Sequence, residues 1–113
     1  MGIKIIDEED SNSCVEVKKE YRELFSILLA ALYQSSEGKG KERHAKENES
    51  FSEQPICEIG RRVGVGYNLG QSVKKIYEAK NYGDKTFKIK ELLGAINYLA
   101  AAVILIEEEK DND

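Results

Sequence analysis

The chain has no tryptophan, one histidine, one proline and two cysteines in 113 residues. Each scarcity closes off a class of function. His44, without a cysteine or aspartate pair beside it, is a weak metal ligand and a weak general base. No Ser/His/Asp set can be assembled, and His44 with Cys57 is the only thiol–imidazole combination on offer. Glu53 and Glu58 do not form the ExxE-plus-ExxD sets with which helical nucleotide pyrophosphatases hold magnesium. Glu107 to Glu109 are consecutive, so on a helix they fan out around the axis and do not converge on one ion. The expectation is a protein that is not an enzyme and carries no cofactor or metal. Cys14 and Cys57 lack CxxC spacing and are expected to be reduced thiols, which points to a cytoplasmic setting. The N-terminal stretch MGIKIIDEEDSNS turns acidic too soon for a secretory segment, and Ile6 breaks the myristoylation pattern.

What is present is 41% hydrophobic and 34% charged residues, the balance of one globular domain. The formal charge of -4 is unevenly spread. Residues 38–92 hold twelve basic and eight acidic side chains, whereas residues 1–37 hold four and eight and residues 93–113 one and five. This basic island is either a solvated surface or a locally positive site for an anionic ligand. An acidic chain is a poor candidate for coating extended nucleic acid, which rests on many phosphate contacts.

The periodicity predicts an all-α domain of three helices spanning residues 1–113. An N-terminal arm (1–13) precedes a helix at 14–36, in which Tyr21, Leu24, Phe25, Leu28, Leu29 and Leu32 form one apolar stripe. A basic, glycine-containing loop follows (37–53). Pro55 suits the first turn of the next helix (54–81), whose stripe runs through Ile56, Ile59, Val63, Tyr67 and Tyr77 with a kink near 64–66. The last helix (85–109) can be capped by Asp84 or Thr86 and ends in an acidic tail (110–113). From Leu92 to Ile106 it is apolar apart from Asn97 and the Tyr98 hydroxyl. That run falls short of the roughly 18–20 residues that cross a bilayer, so no membrane partner is expected. It exceeds what a three-helix monomer can bury, so the last helix is expected to pack on another subunit as a homo-oligomer. Ile3 to Ile6 has strand character, but a lone four-residue strand makes no sheet.

The stretch GRRVGVGYNLGQ, Gly60 to Gln71, concentrates four glycines and two arginines where the pattern is otherwise helical. No strand precedes it, which excludes a dinucleotide fingerprint, and the chain has no GxxxxGK[ST] run. Three readings remain. Gly60/Gly64 and Gly66/Gly70 could be packing seams for the last helix near Gly94. The stretch could be a plain break. Or it could be an anion nest, with Arg61 and Arg62 on phosphate, Tyr67 stacking on a base, Asn68 contacting base or ribose (or Gln71 reading the base edge), and Lys74 and Lys75 one to two turns on. Arg43 and His44, on the loop, could close over such a site.

The segments GKGKERH, QPICEIGRRVGVGY, GQSVKKIYEA and ELLGAINYLAAAVILIEE, between Gly38 and Glu109, resemble small helical proteins encoded by phages and prophages. In size, helicity and basic pocket residues the chain is also similar to phage anti-defence sponges, which sequester cyclic nucleotide immune signals; no functional residue is carried over from them. The resemblance implies an oligomeric, non-catalytic binder of a small anion, most plausibly a (cyclic) nucleotide, in the cytoplasm of a bacterial host cell. The rival expectation is a protein-interaction module that inhibits a bacterial defence or replication enzyme.

Overall fold

The structure, a computed structural model, describes residues 3–6, 14–37 and 49–110. The fold is all-α, and its spine is the last helix. Gly83, at φ 75°, turns the chain, and Asp84 then accepts a hydrogen bond from the Phe87 N–H at 2.9 Å. This N-cap satisfies one of the orphan donors of the helix that begins at Lys85 and ends at Glu108. Its apolar stretch brings it against every other described helix.

The described residues form four α-helices where three were expected: α1 (Arg22–Ser36), α2 (Pro55–Val63), α3 (Gly66–Asn81) and α4 (Lys85–Glu108). The segment expected as one kinked helix at 54–81 is two. Gly64 adopts φ 103°, ψ 156°, a conformation that L side chains rarely take, and this ends α2 outright. α3 and α4 form the tightest pair, α2 crosses both, and α1 leans on α4.

Two further expectations need correction at the N-terminus. The helix expected from residue 14 begins at Arg22. Ahead of it, Cys14–Val17 is a strand (β2) that pairs antiparallel with Ile3–Ile6 (β1), and Lys19–Tyr21 makes a single 3-10 turn. The β-branched alternation Cys-Val-Glu-Val overrides helix propensity once Ile3–Ile6 supplies a partner. The loop at 37–53 ends in a 3-10 turn, Phe51–Glu53, while 38–48 lies outside the described residues.

Small side chains make the core. Cys57, Ala101 and Leu105 form its centre, with Phe51, Ile56, Val65 and Ile104 packed around them. The largest side chains that are fully buried are Asn68, Cys57 and Ser72. Many of the leucines, isoleucines and valines of α1, α3 and α4 stay about half exposed. α4 is long and apolar enough, by length and composition, to cross a membrane.

Candidate functional site

The residues around the glycine-rich stretch do not converge on one ligand. Arg61 is committed to the fold: its Nε and Nη2 donate to the two carboxylate oxygens of Glu108, both at 2.8 Å. Nη2 also donates to the Ser52 carbonyl at 2.7 Å, and Nη1 to Glu58 at 3.1 Å. Arg62 donates to the other Glu58 oxygen at 3.1 Å and is otherwise exposed. Asn68, expected to read a base or ribose, is fully buried and donates to the Ile56 carbonyl at 2.6 Å. It joins α3 to α2 from inside. Lys74 points outward and lies 3.9 Å from Glu78. Arg43 and His44 lie outside the described residues.

The glycines divide by role in a way the four-residue spacing did not reveal. Gly60 is the packing glycine, since a Cβ there would collide with the Asn68 side-chain oxygen and sit 2.5 Å from Leu105 Cδ1. Gly66 and Gly70 face open space, so they form no seam. Gly64 is also unobstructed and is needed for its backbone angle. The Tyr67 N–H, expected as part of an anion nest, is hydrogen-bonded to the Gly64 carbonyl at 3.2 Å.

Of the expected residues that are described, Tyr67 and Lys75 line a concave site. Between α1 on one side and α2 and α3 on the other lies a cleft of about 910 Å³, with α4 as its floor. Tyr33, Tyr67 and Tyr98 line it together with Leu29, Ile56 and Ile59. Tyr67 and Tyr98 meet edge to face, with ring centroids 6.1 Å apart and planes at 72°. Two side-chain struts tie α1 to α4 at the floor: Gln34 Nε2 donates to the Lys90 carbonyl at 3.1 Å, and Asn97 Nδ2 to the Ala31 carbonyl at 3.0 Å.

The charge in the cleft comes from Lys75, Lys90 and Glu91. Gly94 matters here because it has no side chain. A Cβ at that position would lie 3.0 Å from Lys75 Cδ, so the lysine stem runs over the bare backbone of α4. The Lys75 ammonium then sits 5.8 Å from the centre of the Tyr98 ring and 3.7 Å from Glu91, a cation–π geometry supplemented by a carboxylate. Lys90 has no ion-pair partner among the described residues. Two cations against one carboxylate leave the cleft net positive, and its amides and ammonium groups are hydrogen-bond donors.

Sequence reasoning placed Lys75 beside the glycine-rich stretch and missed Lys90, Tyr98 and their grouping with it in the cleft. The signal was available: Asn97 and Tyr98 are the two polar interruptions of the apolar run in α4, and both face the cleft. Among the described residues no cluster of histidine, cysteine, aspartate and glutamate could hold a metal ion. Burial pushes the Cys57 thiol above its ordinary value, with Arg61 opposing and Glu108 assisting. The hydrogen bond from Arg61 holds the Glu108 carboxyl below the usual carboxylate range. No family model, curated protein or solved structure matches the chain.

Proposed function

We propose that this chain is a non-catalytic binding protein for an amphipathic anionic small molecule, with nucleotides as the favoured class, and that the ligand sits in the cleft above α4. The observation that carries this reading is the pairing of tyrosine rings with lysines in one concavity. Tyr33, Tyr67 and Tyr98 offer faces and edges to a planar group, while Lys75 and Lys90 offer charge to a phosphate. The volume, about 910 Å³, lies within the range of small-molecule sites. Base–aromatic stacking contributes about 1–3 kcal/mol per base, and a charged hydrogen bond to phosphate about 1.5–3 kcal/mol. The similarity to phage sponges gives this reading its biological form, namely removal of a signal by holding it. The test is a thermal-shift screen against mono-, di- and cyclic nucleotides, because a ligand that binds only the native state raises the melting temperature by mass action. A flat response across the panel, with no displacement of a fluorescent nucleotide, would reject the reading.

The other reading, a module that docks on an enzyme of the bacterial host, is supported by α1. Its Leu24, Leu28 and Leu32 are each about half exposed, and their four-residue spacing makes a stripe suited to a partner helix or groove.

A further inference from the structure

The side chains by which α4 meets its own chain leave one stripe uncovered. Gly94, Asn97 and Tyr98 face the cleft, while Ala101 and Leu105 enter the core. On the remaining side stand Ile89, Leu92, Ile96, Leu99, Val103 and Ile106. Their spacing is 3-4-3-4-3, a heptad seam over the length of the helix. All but the half-buried Ile96 are 44–57% exposed, so the seam is apolar surface that none of the described residues covers. Leu69, Val73 and Ile76 of α3, also exposed, extend the same face. Side chains of this size at this exposure offer roughly 800 Å² per copy, the half-share of a standard stable interface.

We infer that the occupant of this seam is α4 of a second copy, running antiparallel. The direction follows from charge. Lys85, Lys88 and Lys90 stand at the N-terminal end of α4, and Glu107, Glu108 and Glu109 at its C-terminal end. A parallel mate would set lysine beside lysine and glutamate beside glutamate. An antiparallel mate brings Lys88 of each copy beside the mate's Glu109 at both ends, and it also opposes the two helix dipoles. In that pairing Ile89 meets Ile106 of the mate, Leu92 meets Val103, and Ile96 meets Leu99. The contact is its own two-fold partner, so it closes at a dimer. The cleft opens on another side of α4 and stays accessible. The dimer therefore does not depend on the ligand proposed above.

Light scattering is expected to give twice the chain mass of 12.7 kDa. Val103→Glu, a change at an exposed position, is expected to keep the helical circular dichroism while weakening self-association by about a hundredfold or more, because it buries an unpaired charge. Lys88→Glu is expected to weaken the dimer, and Lys88→Glu with Glu109→Lys to restore it. Direction is read with cysteines in a Cys14→Ser background. Ile89→Cys and Ile106→Cys variants are each expected to resist oxidation to a disulfide alone and to cross-link when mixed, since like positions lie about 25 Å apart in an antiparallel pair. Self-linking of either variant alone, a monomeric wild type, a dimeric Val103→Glu, or flotation of the wild type with phosphatidylglycerol vesicles would each overturn the inference.

Discussion

Arg61, in the last turn of α2, holds Glu108, in the last turn of α4, by two parallel hydrogen bonds of 2.8 Å each. Bidentate geometry of this kind fixes orientation as well as distance. It pins the short helix α2 across the end of the spine, and through the Ser52 carbonyl it gathers in the 3-10 turn as well. An arginine so engaged has few donors left for a phosphate. Arg61→Ala should therefore lower the melting temperature and leave nucleotide affinity unchanged. Calorimetric titration beside a thermal melt separates the two, and a large loss of affinity in a folded variant would return Arg61 to the ligand site.

The same pair sets a pH dependence. The folded-state value of Glu108 is depressed, with the Arg61 hydrogen bond as the largest cause. Its stabilisation is thus fully present above the unfolded carboxylate value of about 4.3 and is lost as pH falls through the lower folded value. Thermal melts of the wild type and Glu108→Gln should differ most at neutral pH and converge as the acid limb is reached. A gap that stays constant down to pH 3 would mean that the carboxylate charge contributes nothing to the bond.

Substitutions at the glycines should sort by cause. Gly60→Ala overpacks the contact with Asn68 and Leu105 and should cost about 1–3 kcal/mol. Gly64→Ala meets no neighbour but forces a side chain into positive φ, and it should destabilise through the backbone alone. Gly70→Ala, within α3 and facing open space, should stabilise by about 0.5–1 kcal/mol. Urea unfolding of the three variants tests the assignment, and a stabilising Gly60→Ala would remove the packing role.

These glycines show where the sequence is legible and where it is not. Periodicity located α4 and the helical character of 54–81, the proline marked the start of α2, and the glycine run marked the place of the break, though as a kink in one helix and not as the end of α2, because each is a local steric or hydrogen-bonding rule. The ribbon of Ile3–Ile6 with Cys14–Val17 escaped because pairing is a property of two segments, and neither alone exceeds helix propensity by much. The site escaped for the same reason at longer range. Arg61 and Asn68 look like ligand residues until Glu108 and Ile56 are seen beside them. Lys75 looks like a partner of Lys74 beside the glycine-rich stretch until Gly94, nineteen positions on, gives its stem a bed.

Cys57 should behave as a protected thiol. It is fully buried, and its ionisation is suppressed by that burial. The thiolate is the reactive form, so modification should need transient opening of the contact between α2 and α4. In a Cys14→Ser background, reaction with a disulfide reagent at pH 8 should be slow in the native protein and become fast in urea. Rapid native labelling would mean that α2 detaches readily from the spine.

Gly94 offers the sharpest test of the cleft because it reaches the ligand only through Lys75. A methyl group added there would press on Lys75 Cδ and Cε at 3.0 and 3.1 Å, distances at which the flexible stem has to move. The ammonium would leave its place by Tyr98 and Glu91, while the helix itself should gain slightly from alanine. Gly94→Ala is thus expected to keep or raise the melting temperature and to weaken nucleotide binding by about tenfold, the loss of one charged contact of about 1.4 kcal/mol. Lys75→Ala should weaken binding to a similar degree, and the double variant should be no worse than either single one, because both remove the same contact. Additive losses in the double variant would show that Gly94 acts on the ligand by a route other than Lys75. Undiminished affinity in Lys75→Ala would move the phosphate to Lys90 or out of the cleft.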